Sequence, residues 1–63
     1  MDEKAGEVYV RWGMYEDAAH CYLKAKVYDK AGENFELVSK YTDAVVAYKD
    51  GGFYEKVIDL IQR

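Results

Sequence analysis

The 63-residue sequence contains no proline, a single cysteine and a single tryptophan. Without proline, nothing in the chain stops a helix by removing a backbone donor, so helix ends must be set by other residues. A lone Cys21 cannot close an internal disulfide, and with no Cys-x-x-Cys pair there is no zinc framework; this is the cysteine usage of a reducing compartment. No apolar run approaches the ~20 residues of a membrane-spanning helix, and the opening Met-Asp-Glu-Lys lacks the apolar core of a signal peptide. The expectation is an intracellular, cytoplasmic protein with no membrane partner. An excess of cations is lacking as well. Nine Lys and Arg stand against twelve Asp and Glu, for a net charge of -3, which opposes binding to phosphate backbones and excludes nucleic acid from the expected partners.

Catalytic patterns are also missing. There is no phosphate-binding glycine loop and no nucleophile elbow. His20 beside Cys21 is the one pair that hints at catalysis or a metal. Adjacent residues on a helix point ~100° apart and do not face each other, and no second base or ligand set accompanies them. The expectation is therefore no enzyme, no cofactor and no metal.

What is present is a repeat. Ala5, Ala18, Ala31, Ala44 and Val57 recur at one fixed spacing of thirteen residues, followed in step by Tyr9, Tyr22, Phe35, Tyr48 and Ile61. An unbroken row of tyrosines, Tyr15, Tyr28, Tyr41 and Tyr54, precedes them. Within each unit the apolar residues fall at helical spacing: Tyr15, Ala18, Ala19, Tyr22 and Ala25 form one stripe, with Glu16, Asp17, His20 and Lys24 on the solvated side. Nothing alternates with the period of a strand. Acidic residues just after the starting tyrosines suit the positive end of a helix dipole, and Gly13 and Gly51-Gly52 suit turns. The spacing predicts five helices, near 2–12, 15–25, 28–38, 41–50 and 54–62. At 51% hydrophobic residues there is enough for a core, although a chain this short buries only ~60% of its unfolded surface.

A second period of twenty-six overlies the first. Lys4-Ala5-Gly6-Glu7 recurs as Lys30-Ala31-Gly32-Glu33, and Asp17-Ala18 as Asp43-Ala44. The unit is thus a two-helix hairpin, and short turns make sequential helices antiparallel neighbours. Glycine in a helix interior costs roughly 1 kcal/mol relative to alanine, so Gly6 and Gly32 in register predict a close helix contact. The fold class is all-α: tandem antiparallel helical hairpins, with units near 2–25 and 28–50 and a final helix 54–62, read as one module over 1–63.

Tyr28, Ala31, Gly32 and Phe35 on one helix, and Gly13, Tyr15, Ala18, Tyr22 and Ala25 around the next, resemble a tetratricopeptide-type repeat. Tyr41, Ala44 and Tyr48 continue the match, with Ser39 in place of the turn glycine. The unit here is 26 residues without a closing proline, against 34 in that family. Shortened hairpins of this kind resemble those of trafficking, intraflagellar-transport and helicase-associated helical arrays. The resemblance implies an α-solenoid that serves as a protein-interaction scaffold, with the first helix of each hairpin lining a groove.

Carried onto this chain, those positions hold Glu3, Asp29 and Glu55 in one row and Glu7, Glu33 and Asp59 in the next. All six are acidic, and like charges four apart on a helix cost a few tenths of a kcal/mol per pair. A groove for a basic or helical peptide is one reading; a solvated acidic face is the other. Val10, Leu37, Arg11 and Arg63 lie beside the rows as further contact candidates. The tyrosines and Trp12 are expected in packing positions, and Cys21 in a partly buried one. Two alternatives stay open: a purely structural helical segment of a larger protein, an enzyme included, and a self-assembling module. The latter draws on the final helix, where Val57, Ile58, Leu60 and Ile61 make a broad apolar face without the polar cap expected of a true terminus.

Overall fold

The computed structural model describes residues 2–62, which leaves Arg63 of the contact candidates outside the described residues. Five helices follow one another: α1 (Asp2–Arg11), α2 (Tyr15–Lys24), α3 (Tyr28–Leu37), α4 (Tyr41–Asp50) and α5 (Tyr54–Gln62). They fall where the spacing predicts, and no strand occurs among the described residues. Each helix packs chiefly on its neighbours in sequence, as in an array of antiparallel hairpins. The result is an elongated slab of 32 × 19 × 12 Å.

The thirteen-residue period has a local cause. Each of α1 to α4 runs for ten residues, and each ends in the same three-residue turn. Gly13, Lys26, Ser39 and Gly52 occupy the left-handed region, with φ between 61° and 79°. Their amides donate to the carbonyls of Val10, Leu23, Glu36 and Lys49 at 3.0 Å. The next amides, of Met14, Val27, Lys40 and Phe53, donate to Tyr9, Tyr22, Phe35 and Tyr48 at 2.8–2.9 Å. This is a Schellman closure, repeated four times. The residue that completes each closure stands directly before the next helix, so one turn both ends a helix and starts its successor. Met14, Val27 and Lys40 offer no side-chain cap; first-turn acids such as Glu16, Asp29 and Asp43 complement the dipole instead.

The core is Ala18, Ala19, Tyr22, Ala31, Phe35, Ala44, Ala47 and Tyr48. Alanines let the helix backbones approach, and three large rings fill the remaining space. The two helix glycines are where this packing is tightest. A Cβ at Gly6 would stand 2.9 Å from the Tyr22 ring, and one at Gly32 would overlap the Tyr48 ring more deeply still. Glycine on an odd helix is thus a notch, and tyrosine on the following even helix is the wedge that fills it.

Two expectations need correction. Trp12 does not pack: it is 77% exposed. Tyr41 and Tyr54 are also largely exposed, while Tyr15 and Tyr28 of the same row are half-buried. The cause is positional. The residue that follows a helix faces the helix before it, as Gly51 faces Tyr28, and no described helix precedes α1. The opening tyrosine faces the helix after it, as Tyr28 faces Gly51, and no described helix follows α5; this accounts for Tyr54 but not for Tyr41, which α5 follows. Of the turn glycines, Gly52 supplies the left-handed residue, whereas Gly51 has φ of -87° and is needed for space against Tyr28 and Phe53.

Candidate functional site

Glu3, Glu7 and Arg11 are four apart along α1, and Asp29, Glu33 and Leu37 are four apart along α3. Glu55 and Asp59 repeat the pattern on α5. All are exposed except Asp29, which is half-buried. Every residue of the two acidic rows thus reaches solvent, and none of the six is in an ion pair among the described residues. Val10, by contrast, is half-buried against the core. Leu37 is 63% exposed and stands where α1 has Arg11, so the end of each stripe is cationic on one helix and apolar on the next.

The acidic face is not purely acidic. Lys4, Lys30 and Lys56 form a column of their own at the 26-residue period. Lys30 Nζ lies 5.7 Å from the centroid of the Tyr22 ring, and Lys56 Nζ lies 5.6 Å from that of Tyr48. Each lysine is drawn back over the tyrosine of the preceding even helix, a contact worth ~0.5–1 kcal/mol at exposed sites. Each tyrosine therefore has two jobs: its ring fills a glycine notch on one side and holds an ammonium on the other. Sequence reasoning missed this column, although the repeated Lys-Ala-Gly-Glu motif contains it.

Tyr22 is the electrostatic link between α1 and α3. Burial pushes its phenol above the ordinary value; Lys30 opposes the shift, and Glu7, Glu3 and Cys21 reinforce it. In the second hairpin the Tyr48 hydroxyl donates to Glu36, an acid outside the predicted rows, in the position that Val10 holds in the first hairpin. The buried Asn34 side chain donates to the carbonyl of Lys30 at 2.8 Å, one turn back.

On the even helices the chemistry is sparser. Glu16 Oε2 lies 3.3 Å from Lys40 Nζ and 4.0 Å from His20 Nε2, tying α2 to the start of α4. The His20 ring meets Phe35 edge-on, 5.3 Å between centroids, and Cys21 is half-buried. No group of His, Cys, Asp and Glu among the described residues could hold a metal. A shallow recess at the α4–α5 turn is lined by the consecutive residues Gly52 to Lys56. No described helix is long and apolar enough to cross a membrane.

Fold and surface together define a small helical-repeat-like array. No family model matches the chain, and no solved structure matches it. Intraflagellar transport protein 172 of Chlamydomonas reinhardtii is 42% identical over 40 residues, which is 64% of this chain and 2% of that protein. The chain thus spans a small fraction of the curated relative that it matches.

Proposed function

We propose that this chain is a non-enzymatic protein-interaction scaffold whose odd helices present an acidic face to a basic peptide or helix. The observation that carries the reading is the placement of Glu3, Glu7, Asp29, Glu33, Glu55 and Asp59 in two rows at the hairpin period, all reaching solvent. Two of the lysines beside them, Lys30 and Lys56, lie over tyrosine rings, and no ion pair involves the six carboxylates among the described residues. The similarity to a segment of an intraflagellar transport protein supports a role in assembly. Affinity for a basic peptide should be modest and should fall with salt, because exposed charges are screened over ~8 Å at physiological ionic strength.

The test compares two double reversals of equal charge change. Glu7→Lys with Glu33→Lys removes the middle of the acidic face. Asp43→Lys with Asp50→Lys changes α4; Glu16 is avoided because it pairs with Lys40. With helicity verified in both, titration of a fluorescent lysine-rich peptide should show binding lost in the first variant and largely kept in the second. Equal losses would mean nonspecific attraction and would remove the acidic-face reading.

A second reading, self-association, has its own observation. Tyr54, Ile58 and Ile61 on α5 are uncovered, and an apolar patch of this kind marks an interaction site.

A further inference from the structure

The two hairpins differ at one hydrogen bond. In the second, the Tyr48 ring fills the Gly32 notch, Lys56 Nζ lies 5.6 Å from its centroid, and its hydroxyl donates to the Glu36 carboxylate. In the first, the Tyr22 ring fills the Gly6 notch and Lys30 Nζ lies 5.7 Å from its centroid. Val10 stands where Glu36 stands in the second, and it packs on the core. No hydrogen bond to the Tyr22 hydroxyl occurs among the described residues. Tyr22 is 3% exposed, and no fully buried side-chain polar atom among the described residues lacks a partner. The small part of Tyr22 that solvent reaches is therefore its hydroxyl. A buried ring holds that group in place and leaves it open to a partner from outside.

What the second hairpin places at the hydroxyl says which partner fits. Tyr48 is given a carboxylate, with an ammonium over the same ring. The charged groups around Tyr22 are Lys30, Glu7 and Glu3. Their counterparts in the second hairpin are Lys56, Glu33 and Asp29. The second hairpin thus accommodates a carboxylate beside acids at the same positions, and the first has every part of that arrangement except the carboxylate. A hydrogen bond to an ionised group is shorter and stronger than one between neutral groups, so a carboxylate is a better occupant than water.

We propose that Tyr22 and Lys30 form a carboxylate site that takes one Asp or Glu side chain of the partner; the inference rests on the acidic-face reading and adds a single acidic residue to the basic peptide of that reading. The Tyr22 hydroxyl donates to the incoming carboxylate as Tyr48 donates to Glu36, and Lys30 supplies the countercharge. Basic residues flanking that acid in the partner meet Glu3 and Glu7. The second notch is filled from within by Glu36, so only the first hairpin reads an acid. The recognised pattern is then one acid set among cations, which a uniformly basic peptide does not satisfy.

Titration with two sets of fluorescent lysine-rich peptides tests it, one set carrying a single Glu and the other a single Gln, moved along the peptide position by position. A Glu peptide has less positive charge than its Gln twin, so nonspecific attraction to an acidic protein favours Gln. At one position the parent should nevertheless bind the Glu peptide tighter by about two- to tenfold, the range expected of one hydrogen bond. Tyr22→Phe keeps the ring in its notch and removes only the hydroxyl; it should abolish the preference and leave affinity for the Gln peptides unchanged. Lys30→Met should abolish the preference while tightening binding of the Gln peptides, since it removes a cation from the face. Circular dichroism checks that both variants fold. Binding without a Glu preference at any position overturns the carboxylate site and leaves the acidic-face reading standing. A preference that survives Tyr22→Phe puts the carboxylate elsewhere and overturns the site as well. Binding of neither set overturns both.

Discussion

At the scale of single residues, two contacts dominate the account. Gly32 and Tyr48 form the tighter of the two notch-and-wedge pairs. Substituting alanine adds helix propensity worth ~1 kcal/mol but drives a methyl into a fully buried ring. Overpacking costs ~1–3 kcal/mol, so we expect Gly32→Ala to be destabilising on balance, visible as a lower Tm. Gly6→Ala should cost less, because the Tyr22 ring is farther from the new methyl and α1 is free to shift outward. A neutral Gly32→Ala would mean that the interior helix pair is looser than described. Tyr22 adds a pH dependence. Its phenol is held above the ordinary value of ~10, chiefly by burial, so the folded state favours the neutral form. That stability is fully present below the ordinary value and is lost as pH rises through the raised one. Chemical denaturation between neutral and strongly alkaline pH should therefore show a steeper alkaline loss for the parent than for Tyr22→Phe; parallel curves would contradict the assignment.

At the scale of elements, the turns explain why ten helical residues recur. Four Schellman closures share one geometry, yet glycine fills the left-handed position in two of them only. A left-handed residue with a Cβ costs ~1–2 kcal/mol. Lys26→Gly and Ser39→Gly should each raise stability by ~1 kcal/mol, read as an increase in the denaturation midpoint with an unchanged m-value. No gain at either site would mean that these turns tolerate other conformations. The five helices, their hairpin order and the close approach at Gly32 could all be read from the sequence, because each leaves a periodic trace. Exposure at the ends could not. Column logic assigned Trp12 and Tyr54 to packing by averaging over a unit that assumes a neighbour on both sides, and α1 and α5 each lack one. The lysine-over-tyrosine contacts also escaped it, since Lys30 and Tyr22 sit on different helices and only the packed register brings them together. Lys26 and Ser39 gave no turn signal of their own; the thirteen-residue phase placed them.

At the scale of the whole molecule, each helix is buttressed chiefly by its chain neighbours, so burial falls toward the ends and α5 buries no side chain fully. Such an array displays one face of its odd helices and another of its even helices, repeated along the slab. The central claim is that the odd-helix face, with its acidic rows, is the one that receives a partner. Amide chemical-shift mapping during titration with a lysine-rich peptide, at a protein concentration where the chain is monomeric, tests that claim most directly. We expect the shifts to concentrate at Glu3, Glu7, Asp29, Glu33, Glu55 and Asp59 and their neighbours on α1, α3 and α5, with α2 and α4 little changed. Shifts spread evenly over all five helices, or confined to α2 and α4, would contradict it.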